Sequence, residues 1–237
     1  MNFINDPLGK ALNDYYEGKI DATLTVYSDI DGEETLDAAY FFRGLEEMPD
    51  LEKIALKYCK GKVLDVGAGA GCHSIVLQEK GFNVTALDVS PGLIHLLQKR
   101  GLKRVLQEDI FQYKHEQFDT LLMLMNGIGL GGSLEKTDMF LEHSKKILTP
   151  NGQILFDSSD ILEAFTEEDG SMLINLTREY YGVVEYQLKY EDILGEKFNW
   201  LYVDVDTLTQ RAFQNGYNCE VLEVGEDNDY LGRLTLI

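Results

Sequence analysis

The chain has 237 residues, 44% of them hydrophobic, which suits one globular domain and excludes a disordered chain. Against 21 Lys and Arg stand 41 Asp and Glu, and a formal charge of −20 repels phosphate backbones and anionic lipid. Nucleic acid and membrane are therefore excluded as expected partners, and solubility is the simplest use of the charge. Three cysteines, Cys59, Cys72 and Cys219, form no CxxC pair, which excludes a zinc knuckle or disulfide framework and fits a reducing cytoplasm.

Residues 1–60 are rich in acids and aromatics and read as a mainly helical cover. No basic segment leads into an apolar core, so no signal peptide is expected. The longest nearly apolar run, Leu121 to Leu130, is too short to span a bilayer. Asp29, Asp31 and Glu33 lie in DIDGEE, where glycine at 32 comes too early for a twelve-residue calcium loop. A solvated acidic turn is expected there, and no metal site.

From Gly61 onward, short apolar runs alternate with helical patterns. Lys62 to Val66 reads as a buried strand, Cys72 to Lys80 as a helix stopped by Gly81, and Asn83 to Leu87 as a second strand. Ser90-Pro91 caps a helix that runs to about Arg100. Arg104 to Gln107 is a third strand. Asp119 to Met125 is a fourth, apolar throughout and so expected to be buried on both faces. A helix over Thr137 to Leu148 is closed by Pro150-Asn151-Gly152, and Gln153 to Phe156 is a fifth strand. This alternation predicts a doubly wound α/β fold with a mostly parallel sheet. The C-terminal third changes period. Val183 to Tyr190 and Lys197 to Val205 alternate as antiparallel strands, and their aromatics are expected to pack a sheet. Asp206 is expected to cap a helix over Thr207 to Asn215. Two strands follow, near Cys219 to Val224 and Leu231 to Leu236. With no Pro/Gly/Ser linker, residues 1–237 read as one domain: a cover over 1–60, a binding half over 61–160 and an antiparallel part over 161–237.

The most informative stretch is Val63 to Gly71, VLDVGAGAG. Asp65 lies near the strand end, glycines alternate at 67, 69 and 71, and a helix follows. Glycines let the backbone turn sharply and admit a ligand against it. The helix N-terminus behind them offers free N–H groups and partial positive charge. Asp88 ends the second strand, 21 positions after Gly67. A carboxylate there accepts both hydroxyls of a ribose and disfavours a 2′-phosphate. Cys72 stands where the dinucleotide fingerprint G-x-G-x-x-G wants glycine or alanine.

Together, G-x-G-x-G, Asp65, Asp88 and Asp109 resemble the class I S-adenosylmethionine-dependent methyltransferases, closely over about residues 61 to 160. The resemblance implies a Rossmann-like, mostly parallel seven-stranded sheet, here with a helical cover and an added antiparallel hairpin. It implies S-adenosyl-L-methionine as cofactor. Asp65 and Gly67 would lie by its methionine part, with Ala68, Gly69 and Gly71 also binding the cofactor, Asp88 would hold the ribose, and Asp109, Ile110 and Val89 the adenine. Met125 and Asn126 end the fourth strand at the place that faces the reactive methyl, where Asn126 either lines the acceptor pocket or caps the loop. Enzymes that methylate exocyclic amines of bases carry Asn or Asp, two prolines and an aromatic residue there. This chain has Asn126-Gly127-Ile128-Gly129, so a small-molecule acceptor is expected. A non-catalytic S-adenosylmethionine-binding protein and an NAD-dependent dehydrogenase stand as alternatives.

Methyl transfer from a sulfonium needs alignment more than acid–base chemistry, so no catalytic triad is required, and none is found. His73, in the first turn after the loop, reads either as a cofactor or acceptor contact or as a packed histidine. Asp157-Ser158-Ser159-Asp160, after the fifth strand, either shapes the acceptor site or makes a turn and helix cap. Between Val63 and Ile94 the only Lys or Arg is Lys80. Arg43, behind Tyr40-Phe41-Phe42, is therefore expected to reach the cofactor carboxylate from a lid, the alternative being a surface pair with Glu46 or Glu47.

Overall fold

The computed structural model describes residues 5–166 and 179–237; residues 1–4 of the cover and 167–178 of the C-terminal part lie outside them. The chain begins with α1 (Pro7–Tyr16), β1 (Thr23–Ser28), β2 (Gly32–Asp37) and α2 (Asp50–Tyr58). It continues with β3 (Lys62–Val66), α3 (Cys72–Glu79), β4 (Asn83–Asp88), α4 (Pro91–Lys99), β5 (Val105–Gln107) and β6 (Phe118–Met123). Next come α5 (Leu134–Ser144), β7 (Leu148–Ser159), β8 (Val183–Tyr190), β9 (Ile193–Leu194) and β10 (Phe198–Leu201). Helix α6 (Val205–Gln214) and strands β11 (Tyr217–Val224) and β12 (Asp229–Leu236) complete it.

Seven strands form the main sheet in the order β11-β12-β7-β6-β3-β4-β5. The pairs β6–β7, β3–β6, β3–β4 and β4–β5 are parallel, and β12 runs antiparallel to both neighbours. The apolar strands are covered on both faces: Leu64, Leu121, Met123, Ile154 and Phe156 enter one core cluster, Val63, Leu122 and Leu155 another. That two-sided burial explains their unbroken hydrophobic runs. After β5 the chain returns to the other side of β3, so a crevice opens at the carboxyl ends of β3 and β6, where open α/β sheets bind ligands.

The expectation of a mainly helical cover is corrected. Residues 23–37 form a β1–β2 hairpin that continues through β8 into an antiparallel sheet, β10-β8-β1-β2, with β9 paired to β8. DIDGEE is the hairpin's turn: Gly32 has φ +79° and Ser28 Oγ accepts from Asp31 N–H at 2.8 Å. The hairpin hides in the sequence because it buries little. In β1 only Leu24 is buried, and β2 buries nothing. Its stabilising partner is distant, with Val26 opposite Leu188. Boundaries also move: the helix expected over Thr137 to Leu148 is α5, and the strand expected over Gln153 to Phe156 is β7, which takes in Pro150-Asn151-Gly152. Helix α6 is capped by Asp204, whose Oδ1 accepts from Thr207 N–H at 2.8 Å, and β10 ends at Leu201.

The two sheets meet over the segment Gly127–Gly131, a 3-10 turn after β6. A Cβ on Gly129 would lie 1.8 Å from the Leu201 carbonyl oxygen, so glycine is needed where the backbones touch. Trp200, on β10, donates its indole N–H to Asn126 O at 2.9 Å.

Candidate cofactor and acceptor site

The glycine loop between β3 and α3 is held in a shape only glycine adopts freely. Gly67, Gly69 and Gly71 have φ of +72°, +57° and +84°. Their surroundings differ. A Cβ on Gly67 or Gly69 would meet open space, whereas one on Gly71 would lie 2.6 Å from Leu97 Cδ2. The first two glycines thus border room for a ligand, and the third lets α4 pack close. The loop is tied to β4: Gly67 and Ala68 N–H donate to Leu87 O at 2.9 and 3.0 Å, and Gly69 N–H donates to Asp88 Oδ2 at 3.0 Å. Gly71 N–H turns back on Ala68 O at 2.8 Å. Four loop N–H groups are therefore satisfied within the protein.

Asp88 caps this arrangement. Its Oδ1 accepts from Ser90 N–H at 2.9 Å. Burial raises its pKa, against the backbone N–H groups of Ser90, Gly69 and Val89, which lower it. Val89, 63% exposed, presents an open apolar face. Ile110, expected against the adenine ring, is 1% exposed and packs in the main core. Asp109 is exposed and caps its own turn, its Oδ1 accepting from Phe111 N–H at 2.9 Å. Asp65 lies beneath the loop, buried, with Ser74 Oγ–H donating to its Oδ2 at 2.6 Å. Burial pushes its pKa up, countered by His73 and Ser74. Asp65 thus ties β3 to the first turn of α3.

The cover brings a buried charge cluster to that turn. The Arg43 guanidinium pairs with Glu52 on α2, and Glu52 Oε2 is 2.8 Å from His73 Nε2. Arg43 also donates to Tyr40 O at 2.6 Å and stacks on the Tyr40 ring at 4.1 Å. Arg43, Glu52 and His73 are all buried. Desolvation opposes the Glu52 charge, yet His73 and Arg43 outweigh it and hold the carboxyl below its usual range. Desolvation likewise opposes charge on His73, but contacts with Cys72 and Glu52 raise its pKa well above normal. The alternative expectation, a surface pair of Arg43 with Glu46 or Glu47, is thus replaced by a buried pair with Glu52, and His73 is a packed histidine held by Glu52. The Arg43 Nε–H, also buried, has no hydrogen-bond partner among the described residues. Glu52 escaped the sequence reading. Its signal was a carboxylate on the buried face of α2 shared by Leu51, Ala55 and Leu56.

Beyond the strand ends lies a cavity of about 270 Å³, reached by Tyr40 and Glu52 from the cover, Met125 and Asn126 after β6, Asp157 on β7 and Asp229 on β12. Met125 and Asn126 both adopt left-handed backbone, at φ +63° and +55°. Asn126 is fixed on three sides: its N–H donates to Asp157 Oδ1 at 2.8 Å, its carbonyl accepts from Trp200, and its side-chain oxygen accepts from Ser159 Oγ–H at 3.2 Å. Of the Asp157-Ser158-Ser159-Asp160 run, Asp157 and Ser159 line this cavity. Ser158 instead accepts from Val203 N–H at 3.0 Å, and Asp160 accepts from Tyr181 Oη–H at 2.6 Å. Burial pushes Asp157 up to about 7, with Glu52 adding to the rise and the Asn126 N–H opposing it.

Residues 63–152 match the model of a methyltransferase domain. Over its whole length the chain superposes on an S-adenosylmethionine-dependent methyltransferase from Bacteroides fragilis, crystallised with S-adenosyl-L-homocysteine. Identity is 40% with a TM-score of 0.93, covering 100% of this chain and 97% of that one. It is also 30% identical over 105 residues to the cypemycin N-terminal methyltransferase from a Streptomyces species, covering 43% of each chain. The chain spans about half the length of the curated relatives it matches. The sugar N-methyltransferase KedS8 from a Streptoalloteichus species shares the fold at 15% identity and a TM-score of 0.57, covering 83% of this chain and 87% of that one. The glycine loop, the carboxylate ending β4, the strand order with one reversed strand and the full-length likeness agree: the chain belongs to the class I S-adenosylmethionine-dependent methyltransferases.

Proposed function

We propose that this protein transfers the methyl group of S-adenosylmethionine to a small molecule held in the cavity at the ends of β6 and β7. The observation that carries this reading is the pair Gly67 and Gly69, left-handed and facing open space beside the Asp88 carboxylate. That cradle fits the cofactor. Asp88 would take the ribose hydroxyls, Val89 and Asp109 the adenine, and the loop the methionine part. The cofactor supplies a methyl group on a positively charged sulfur, ready for in-line displacement, and the chain's task is to align an acceptor and exclude water.

Arg43 belongs to this reading. With four loop N–H groups already satisfied, a ligand carboxylate needs a cation, and the unpartnered Nε–H of Arg43 is a donor awaiting an acceptor. The acidic surface and the Asn126-Gly127 sequence support a small acceptor rather than a nucleic acid.

Calorimetry tests the cofactor half. S-Adenosylmethionine and S-adenosylhomocysteine are expected to bind, with NAD and NADP far weaker. Asp88→Ala should cost about 1–3 kcal/mol of cofactor affinity, because ribose hydroxyls lose their buried acceptor. Equal affinity for NAD would remove the basis of the reading. Methyl transfer to an added acceptor, beyond slow cofactor hydrolysis, separates an enzyme from a binding protein.

A further inference from the structure

The cavity beside Asn126 carries a chemical preference in its lining. Among the described residues three carboxylates reach it, those of Glu52, Asp157 and Asp229, and no lysine or arginine lines it. The three are not equivalent. Glu52 is neutralised behind the cavity by Arg43 and His73. Among the described residues Asn126 is the one other residue that donates to the Asp157 carboxyl, from its N–H to Oδ1, and Oδ2 accepts from no other residue. Asp229 adds negative charge to the lining, while its Oδ1, buried without a partner, is turned against Gly225. A buried carboxylate oxygen left without a donor is costly, and donors brought by a ligand would remove the cost. The Tyr40 ring, stacked on Arg43 at one face, adds an aromatic wall, and Met125 a polarisable one.

We propose that the acceptor is a small amine, bound as its ammonium ion between Asp157 and Asp229 and deprotonated by Asp157 before methylation. This deepens the methyl-transfer reading and rests on it. An ammonium group brings N–H donors to the Asp157 carboxyl and is attracted by the Asp229 charge beside it, and a carboxylate acceptor would be repelled by the same lining. Asp157 suits the second task, because its carboxyl, pushed up to about 7 by burial, both holds and releases a proton near neutrality. In the step itself, the ammonium passes one proton to the free oxygen of Asp157. The nitrogen lone pair then forms the new N–C bond as the C–S bond breaks and its electron pair returns to sulfur. The products are the methylated ammonium and a neutral thioether, and the proton leaves Asp157 to solvent. Of the other ionisable groups about Asp157, Glu52 is paired with His73 and Arg43, Tyr40 has its pKa raised by burial, and Asp229 adds a like charge, which leaves Asp157 as the proton carrier.

The test uses the full chain loaded with S-adenosylhomocysteine and three probes of one shape: benzylamine, benzyl alcohol and benzoate. Calorimetry should show benzylamine binding at least tenfold more tightly than either of the others. Asp157→Asn preserves the acceptor for Asn126 N–H and should abolish that preference, while cofactor affinity stays within twofold. With S-adenosylmethionine, amine methylation by the parent should rise with pH through an apparent pKa that the Asn variant lacks, and kcat should fall at least a hundredfold in the variant. Equal binding of the three probes, preference for benzoate, or undiminished amine turnover by Asp157→Asn would overturn the proposal while leaving methyl transfer standing. Failure of the parent to bind S-adenosylmethionine would instead remove the reading beneath it.

Discussion

The molecule has two sheets, and they reach their shapes by different routes. The seven-stranded sheet is built from strands whose own composition demands burial, such as Val63 to Val66 and Leu121 to Met123, all buried. The antiparallel sheet of β10, β8, β1 and β2 has mostly half-exposed strands, with a single buried residue in β1 and none in β2. In the proposed function the first sheet would hold the cofactor, and the second, with the segment from Tyr40 to Glu52, would close the acceptor side. Local sequence thus dictates the floor, and pairing between distant segments builds the walls.

The severest way to break the walls is to leave Glu52 with one partner. Arg43→Ala removes a buried, hydrogen-bonded charge and should cost about 3–5 kcal/mol of stability in urea unfolding. Arg43→Lys keeps the charge but not the fork and should lose less. If Arg43 also holds the cofactor carboxylate, calorimetry will show a partial affinity loss for Lys and a larger one for Ala. Parent-like affinity in both would confine Arg43 to the structural pair. Next comes the junction between the sheets. Gly129→Ala places a methyl group 1.8 Å from the Leu201 carbonyl oxygen, against backbone that has little room to yield. A loss of about 3 kcal/mol is expected, measured by the same unfolding curves. Parent-like stability would mean that the contact between the sheets is looser than it looks.

The same contrast explains what was legible in the sequence. Glycines at 67, 69 and 71 announce their left-handed backbone, and Asp65, Asp88 and Asp109 stand at strand ends that hydrophobic periodicity locates. All fell where expected, because local rules decide them. The β1–β2 hairpin did not, since its pairing energy comes from β8, far along the chain, and its acids resembled a solvated turn. Arg43 was expected to reach a cofactor carboxylate or, alternatively, to pair with Glu46 or Glu47 on its own segment, whereas the protein partner it has, Glu52, approaches from the next helix. Ile110 falls after β5 where position put it, and its packing in the main core, which depends on distant residues such as Phe118 and Phe140, could not be read locally.

Asp157 offers a test through pH. Its folded pKa, about 7, lies above the ordinary aspartate value of about 3.9, so the folded state binds the proton more tightly than the unfolded chain. Stability from this group is fully present below the unfolded value and is lost as pH rises through the folded one. Asp157→Asn cannot titrate and escapes that loss. Relative to the parent, it should gain stability progressively between about pH 4 and 7, reaching roughly 2–4 kcal/mol at pH 8. Equal pH profiles for parent and variant would show that Asp157 ionises freely. That result would also weaken its role as a proton acceptor.

The smallest expected effect isolates what the second sheet does for the site. Trp200 is half-buried on β10 and touches the acceptor side through one hydrogen bond, its indole N–H to Asn126 O. Trp200→Phe keeps an aromatic wall and removes the donor. The carbonyl it leaves belongs to a left-handed residue that also gives its N–H to Asp157, so the loss falls on the backbone that positions the proposed proton acceptor. A stability loss of about 0.5–1.5 kcal/mol is expected, the usual net value of one such bond. Cofactor affinity should not change, because the glycine loop is tied to β4 and makes no bond to β10. Acceptor turnover should fall with KM and kcat both affected, as Asn126 and Asp157 lose a fixed spacing. If cofactor affinity falls as much as turnover, the two sheets are coupled through the loop, and the division between floor and walls is wrong. If neither changes, Ser159 and Asp157 suffice to hold Asn126, and the second sheet shapes the cavity by packing alone.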